Sequence, residues 1–388
     1  MEHKERKHAL LSVSGSERWL NCTPSARLEE KEKDRPSSYA NEGTLAHELA
    51  DVELRYASKQ ISKKEWTKKK KLLEKSEYYS PEMDEEVEKY VDFVMQEYKD
   101  SLKKVPGSLL IVESRLDLSS YIEEGFGTCD AAIISDDLMH VIDFKYGKGV
   151  KVDATDNPQL KLYGLGSLHE QELSYDIHRV SLTVFQPRLD SVSTWVISAD
   201  DLRKWAQDQV IPKASLAFEG KGKLVPGNHC QWCKVKARCP ALAAENLKLA
   251  QYEFAEPEML SDEELVDIYS RIPGFYDWAK SVSDYMLQEA LEGKEWPDYK
   301  LVEGRSNRRW VLPDKAVEIL KKEGFSTEEI LNMQIKGIGE IEKLVGKKRF
   351  PDLVGDFVNK PPGKPTLVHQ SDKRPAIGTE QAIEDFKT

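Results

Sequence analysis

The sequence predicts an α/β fold with a mixed central sheet flanked by helices. Apolar residues repeat at helical intervals over 43–56 and 82–104, and strand-sized apolar runs follow at 108–117, 127–135 and 138–146. After a helix from Pro158 to about Leu168, two further strand-like stretches occupy 178–186 and 192–198.

In the first helix Gly43-Thr44 offers an N-cap, and Leu45, Leu49, Val52 and Leu54 are spaced for partial burial. In the second, Met83, Val87, Tyr90, Val91, Val94 and Tyr98 repeat at helical intervals until Pro106-Gly107 ends the run. Ser135-Asp136-Asp137 reads as the turn between the second and third strands. Pro158 suits a first helical position, and Asp200-Asp201 opens another helix. Charged amphipathic helices are expected over 239–254 and 261–293. Trp296-Pro297 precedes a short β-like stretch ending at Trp310, and 313–358 is again helical. From Asn359 onwards Pro, Gly and charge dominate, so a flexible tail is expected over 359–388. Gly337-Ile338-Gly339 mimics a helix-hairpin-helix turn but reads as a glycine-bounded helix start.

At 388 residues and 39% hydrophobic content the chain can build two or three ordinary domains, and no apolar run approaches a transmembrane span. The charged N-terminus is followed only by the short Ala9–Val13 run, so no secretory signal and a cytoplasmic location are expected. In that reducing setting five clustered cysteines point to metal or cluster binding before disulfides. A net charge of −11 argues against a protein that coats nucleic acid nonspecifically. Local basic segments remain: Lys63-Lys64 with Lys68–Lys71, Lys145–Lys151 including Lys148 and Lys151, and Arg305–Arg309 including Arg305 and Arg308. The lysine run reads first as a solvated helix face.

If the turn at Asp136-Asp137 has two residues, Asp130 and Asp143 face each other across an antiparallel pair. Like charges so placed destabilise a sheet unless a cation sits between them. Lys145, two residues beyond Asp143, projects from the same face, whereas Ile142 and Phe144 point the other way into the core. Two carboxylates and a lysine suit phosphodiester hydrolysis: oxygen ligands hold Mg2+ or Mn2+, and the lysine orients the nucleophile or stabilises developing charge. An exposed hairpin edge charged against aggregation is the competing reading. His47 is a candidate metal ligand, with Asp51 at i+4 to orient its imidazole. Glu113 on the preceding strand is a further candidate ligand. Gln159 and Tyr163 share a helix face after the hairpin and are candidates to bind nucleic-acid backbone, Tyr163 equally a core aromatic.

Cys22 stands alone, while Cys230, Cys233 and Cys239 form a C-x2-C-x5-C cluster more than 200 residues later. Four thiolates suit zinc or a [4Fe-4S] cluster, and buried free thiols are the plain alternative. Zinc sites usually pair two knuckles, and Cys22 has no close partner. Cys129 is left over as a small core residue, and His229 beside Cys230 is a weak substitute ligand.

Gly43-Thr44-Leu45-Ala46-His47, Gly127-Thr128-Cys129-Asp130, Val141-Ile142-Asp143-Phe144-Lys145-Tyr146-Gly147 and Gln159-Leu160-Lys161-Leu162-Tyr163 together resemble, in order and spacing, the RecB/Cas4-type branch of the PD-(D/E)XK nucleases. Ser14–Cys22 and Lys300–Arg308 further resemble a phage and prophage family in that branch, DUF2800, from about residue 8 to about residue 375. Asp51 stands where many of those relatives carry Glu. The resemblance implies a restriction-endonuclease-like core over 1–255 closed by the cysteines, a mainly helical C-terminal module over 256–358, and a flexible tail. It also implies that His47, Asp130, Asp143 and Glu113 bind Mg2+ or Mn2+, with Asp130, Asp143, Lys145, Gln159 and Tyr163 in the catalytic group. Cys22, Cys230, Cys233 and Cys239 would hold a [4Fe-4S] cluster, zinc being the alternative, and Lys148, Lys151, Arg305 and Arg308 would contact DNA. The implied activity is exonucleolytic cleavage in phage DNA replication or recombination, with DNA as partner and a phage single-strand-binding or recombination protein as a second. A non-catalytic DNA-binding module and a structure-specific endonuclease are the alternatives.

Overall fold

The computed structural model describes residues 9–33, 38–248, 261–300, 313–322, 326–327, 331, 337–346 and 349–358. Residues divide into two compact units, Met1–Leu301 and Val302–Thr388. The helix Asp262–Leu291, which the sequence groups with a C-terminal module, falls in the first unit.

The first unit is a mixed α/β structure. Its described elements begin with two short helices, α1 (Ser16–Asn21) and α2 (Ser25–Glu30), followed by α3 (Ser38–Ala57), α4 (Lys63–Leu73) and α5 (Pro81–Lys104). The strands β1 (Leu109–Asp117), β2 (Phe126–Ser135) and β3 (Leu138–Phe144) then form a meander. α6 (Pro158–Gln171) crosses over to β4 (Arg179–Gln186), which runs parallel to β3, and β5 (Ser191–Ser198) pairs antiparallel at the far edge. A helical run, α7 (Ala199–Trp205) through α8 (Ile211–Glu219), follows. Among the described strands the only parallel pair is therefore the one joined by a helix, as a crossover requires.

The two faces of the sheet are buried in separate cores. Ala131, Ile133, Ile142 and Phe144 pack with Leu45, Leu49, Val87 and Tyr90 beneath α3 and α5. Ala132, Ile134, Met139 and Val141 pack on the other face with Leu160, Leu165 and Leu202 of α6 and α7, and with Leu11, Val13 and Trp19 from the N-terminal segment. Alternation along β2 and β3 sends neighbouring residues to opposite cores. β3 is thus apolar on both faces, as a strand covered by helices must be.

The hairpin register is as the two-residue turn dictates: Ser135 pairs with Leu138, and the ladder runs to Ala131 opposite Ile142. Asp136 turns the chain with φ of 54°, a left-handed conformation that Asp tolerates better than most residues. Three boundaries differ from expectation. The first helix begins by Ser38, so Gly43-Thr44 lies inside it and the Thr44 hydroxyl donates to the Ala40 carbonyl instead of capping. β3 ends at Phe144, since beyond it only the Lys145 amide continues to β4, donating to Phe185 O at 2.9 Å. The helix expected over 239–254 is observed over Pro240–Leu247, and its expected end, 249–254, lies outside the described residues.

In the second unit, helices occupy Pro313–Lys322, Ile338–Val345 and Phe350–Val354. Gly337 stands at the N-cap of the second, matching the glycine-bounded start. The β-like stretch ending at Trp310, the motif residues 301–308 with Arg305 and Arg308, and the tail 359–388 lie outside the described residues.

Candidate functional site

Three adjacent strands place three carboxylates in one row. Continuing the β1–β2 register sets Glu113 opposite Asp130, and continuing the β2–β3 register sets Asp130 opposite Asp143. Neither position is a regular ladder pair. Glu113 has φ of 46°, a left-handed conformation costly for a residue with a Cβ and found preferentially at functional sites. At Asp130 the side chain replaces the backbone: its Oδ2 accepts the Phe144 amide at 2.7 Å. Its Oδ1 lies 3.1 Å from His47 Nδ1, which reaches across from α3 with its ring edge against Phe144. Ligand atoms of His47, Glu113 and Asp130 all lie within 4.8 Å of one another, the one such group of three among the described residues.

Asp143 is 2% exposed and borders the cluster from β3. Its Oδ1 accepts from Lys145 Nζ and from Gln159 Nε2, both at 3.3 Å. Its Oδ2 lies 3.1 Å from Lys145 Nζ but outside hydrogen-bonding geometry, and this buried atom has no hydrogen-bond partner. Lys145 also donates to Gln159 Oε1 at 3.1 Å, and Gln159 donates to the Tyr163 hydroxyl at 3.1 Å. Tyr163 itself is buried in the α6-side core, so it steadies Gln159 from within. Gly127 is required beside it, because a Cβ there would sit 2.6 Å from Val13 Cγ2 and 3.3 Å from the Tyr163 ring.

The electrostatics follow from crowding acids in a sparsely hydrated cleft. Burial, then Asp130, pushes the Glu113 carboxyl up to about 8, against the opposing pull of His47. Burial and Asp130 likewise raise Asp143 despite Lys145. Burial works to raise Asp130 too, but His47, the Phe144 amide and Lys145 outweigh it and hold that carboxyl below its ordinary range. His47 is raised, since Asp130 overcomes burial. One acid is thus ionised and its two neighbours resist ionisation, an imbalance that a bound cation removes. Hard oxygen donors with one imidazole fit a divalent metal, and Asp143 Oδ2, which accepts no hydrogen bond, offers a further donor.

Asp51 does not orient His47. Its carboxylate accepts from Arg55 Nε, whose guanidinium also donates to Val112 O at 2.7 Å, so the pair ties α3 to β1 beside Glu113. Arg55 was not visible as a site residue, since an i, i+4 Asp–Arg pair is ordinary on any helix. Gln186 was missed as well. It is buried at the end of β4, accepts Val152 N at 2.7 Å and donates to Val150 O at 2.9 Å, and so fixes the loop that carries the exposed Lys148 and Lys151.

The N-terminal segment folds back onto residues 218–239. Arg27 Nε donates to Phe218 O at 2.6 Å, Thr23 Oγ1 donates to Lys221 O at 2.6 Å, and Glu29 accepts the Lys234 amide at 2.7 Å while pairing with Arg18. Gly222, with φ of 108°, permits this approach: a Cβ would meet Thr23 Oγ1 at 2.2 Å. Cys22, Cys230, Cys233 and Cys239 line one cavity there, together with apolar residues such as Leu28, Leu224 and Leu242 and with Arg18 and Lys236. No three of their sulfurs lie within 4.8 Å of one another. His229 Nε2 is engaged by Val225 O at 2.9 Å, and Cys129 is a buried core residue.

A family model described as "Protein of unknown function (DUF2800)" matches residues 8–375. A solved structure titled "Crystal structure of SSO0001" is similar at 15% identity, with a TM-score of 0.22, over 58% of this chain and 96% of that one.

Proposed function

The chain belongs to the DUF2800 family, and we propose that it is a metal-dependent deoxyribonuclease with a PD-(D/E)XK core, acting on DNA ends in phage replication or recombination. The observation that carries this reading is the row Glu113–Asp130–Asp143, capped by His47 and flanked by Lys145. A divalent cation held by His47, Glu113, Asp130 and Asp143 supplies Lewis-acid polarisation of the scissile phosphate and favours water as a nucleophile at neutral pH.

The chain's own residues do the rest. Asp130, kept ionised by His47 and the Phe144 amide, is the permanent negative charge of the site. Lys145, held between Asp143 and Gln159, places an ammonium where charge develops on the phosphate. Gln159, braced by Tyr163, keeps that ammonium aimed. Lys148 and Lys151, exposed on the loop fixed by Gln186, supply positive charge to the DNA backbone.

For the cysteines we favour a [4Fe-4S] cluster over zinc, on the family resemblance and on the one cavity that all four thiols line. It would staple the N-terminal segment to the end of the domain.

The test is cleavage of end-labelled single- and double-stranded DNA and of closed circles, with Mg2+ and with Mn2+. Cleavage of linear forms that is lost in Asp143→Ala and Lys145→Ala supports an exonuclease. No turnover of any form, or full turnover in those variants, rejects the reading; cutting of closed circles makes it an endonuclease.

A further inference from the structure

We propose that α4 is a second, non-catalytic contact for the phosphate backbone of double-stranded DNA. In a chain with net charge −11, the eleven residues Lys63–Leu73 hold six lysines and one acid, Glu65. One lysine is spent on the fold: Lys70 pairs with Glu53 at 2.8 Å and with Asp84 at 2.9 Å, pinning α4 to α3 and α5. Lys69 reaches Glu65 at 3.5 Å. Lys63, Lys64, Lys68 and Lys71 are exposed and make no ion pair among the described residues. Lys64, Lys68 and Lys71 follow i, i+4, i+7 and so form one stripe, an arrangement of like charges that costs an isolated helix some stability and gains from a polyanion laid along it.

The position fits the proposed site, and this inference rests on that reading. Glu53, which receives both Lys70 and the Trp66 indole N–H at 3.0 Å, is six residues beyond His47 on α3, about 9 Å of helix rise. A duplex whose end enters the acidic row would meet α4 within about one turn of DNA, where its charge density is one per about 1.7 Å. An anionic membrane is a poorer occupant. Surface-lying helices need an apolar face, and here Trp66 is stacked on Tyr56 at 4.7 Å, leaving Leu72 as the exposed large apolar residue of α4.

The experiment measures binding of a 30-base-pair duplex against salt concentration in EDTA, where cleavage plays no part, for the full chain and for K63S/K64S/K68S/K71S. The four-serine variant is expected to flatten the slope of log affinity against log salt by about 3.6, at about 0.9 for each of four phosphate contacts, and the four-arginine variant to keep it. An unchanged slope in the serine variant, a slope lost equally in the arginine variant, or binding to phosphatidylserine vesicles in preference to duplex overturns the proposal. A wild type that binds with this lysine-dependent slope but cleaves nothing would reject the nuclease reading and leave the contact standing.

Discussion

The Asp130 carboxylate accepts the Phe144 amide at 2.7 Å, at the point where the β2–β3 ladder stops at Ala131 and Ile142. A side chain therefore does the work of a strand. Its other oxygen holds His47, so one carboxylate joins α3, β2 and β3 at the centre of the acidic row. Its β3 counterpart Asp143 holds side chains instead of backbone: its Oδ1 accepts from Lys145 and Gln159, and its buried Oδ2 accepts no hydrogen bond.

That contrast separates the two aspartates by experiment. Asp130→Ala leaves the Phe144 amide and His47 without their acceptor, and should lower stability by about 1–3 kcal/mol, as for a lost charged hydrogen-bond acceptor. Asp143→Asn relieves a carboxyl whose ionisation burial opposes, and should leave stability unchanged or raise it. Both should abolish metal-dependent cleavage. Urea melts of the metal-free proteins check the first pair of statements, and a midpoint that falls more in Asp143→Asn than in Asp130→Ala refutes them.

Glu113 gives the metal-free protein a pH signature. Its carboxyl, about 4.5 when unfolded, is raised to about 8 in the fold, so between these values the native state binds the extra proton. Stability referred to this group is complete below pH 4.5 and is lost as pH rises through 8. Glu113→Gln removes the loss, and near pH 8 it should melt above the wild type by the equivalent of about 2–4 kcal/mol, measured against their difference at pH 4.5. Metal binding expels the same proton, so metal affinity should climb with pH up to about 8. Titration calorimetry across this range, in two buffers of different ionisation enthalpy, reads the released proton directly.

The register of this site was legible because a hairpin with a fixed turn leaves one pairing: Asp136-Asp137 sets Asp130 against Asp143 without any knowledge of the rest. The helix carrying His47 was legible by its apolar spacing, but its start was not, since Gly43-Thr44 looks like a cap and the chain instead continues the helix through it. Long-range partners were invisible. Nothing local tells that Arg55 takes Asp51 away from His47, or that Gln186 on β4 holds the loop of Lys148. The left-handed turn of Glu113 within a strand is likewise a product of the assembled site, because its sequence context reads as ordinary β structure.

His140 offers a check on the sheet remote from the row. Burial pushes its imidazole down to about 4; Nε2 lies 2.8 Å from the Thr183 hydroxyl, itself 2.8 Å from that of Thr194. The Glu97 carboxylate, 3.5 Å from Nδ1, is well exposed, and screening by water leaves burial dominant. A histidine neutral in the fold and protonated when unfolded contributes stability above pH 6.5 that is lost as pH falls through 4. The loss amounts to about 3 kcal/mol, and His140→Gln should remove that part of the acid sensitivity. Equal slopes of stability against pH for the two proteins between pH 6.5 and 4 would show that His140 is not its source.

The cysteine clasp and the acidic row should fail in different ways. In the proposed cluster Cys22 joins residues more than 200 positions away, so its loss loosens the N-terminal segment, whose other ties include Thr23, Arg27, Glu29 and the Arg238–Glu32 pair. That segment also supplies Leu11, Val13 and Trp19 to the α6-side core. Cys22→Ser should therefore lose iron and sulfide, expected near about four of each per chain in the wild type, and lower Tm by at least about 5 °C. Cys129→Ser, altering a core thiol outside the cavity, should retain the iron. Asp143→Ala should keep the iron and the fold and lose only cleavage, since its carboxylate is separate from the cavity of the four thiols. Stoichiometric zinc with no iron in anaerobically purified wild type would rule out the cluster while leaving the clasp itself in place, because the side-chain contacts of Thr23, Arg27, Glu29 and Glu32 do not depend on which metal the thiols hold.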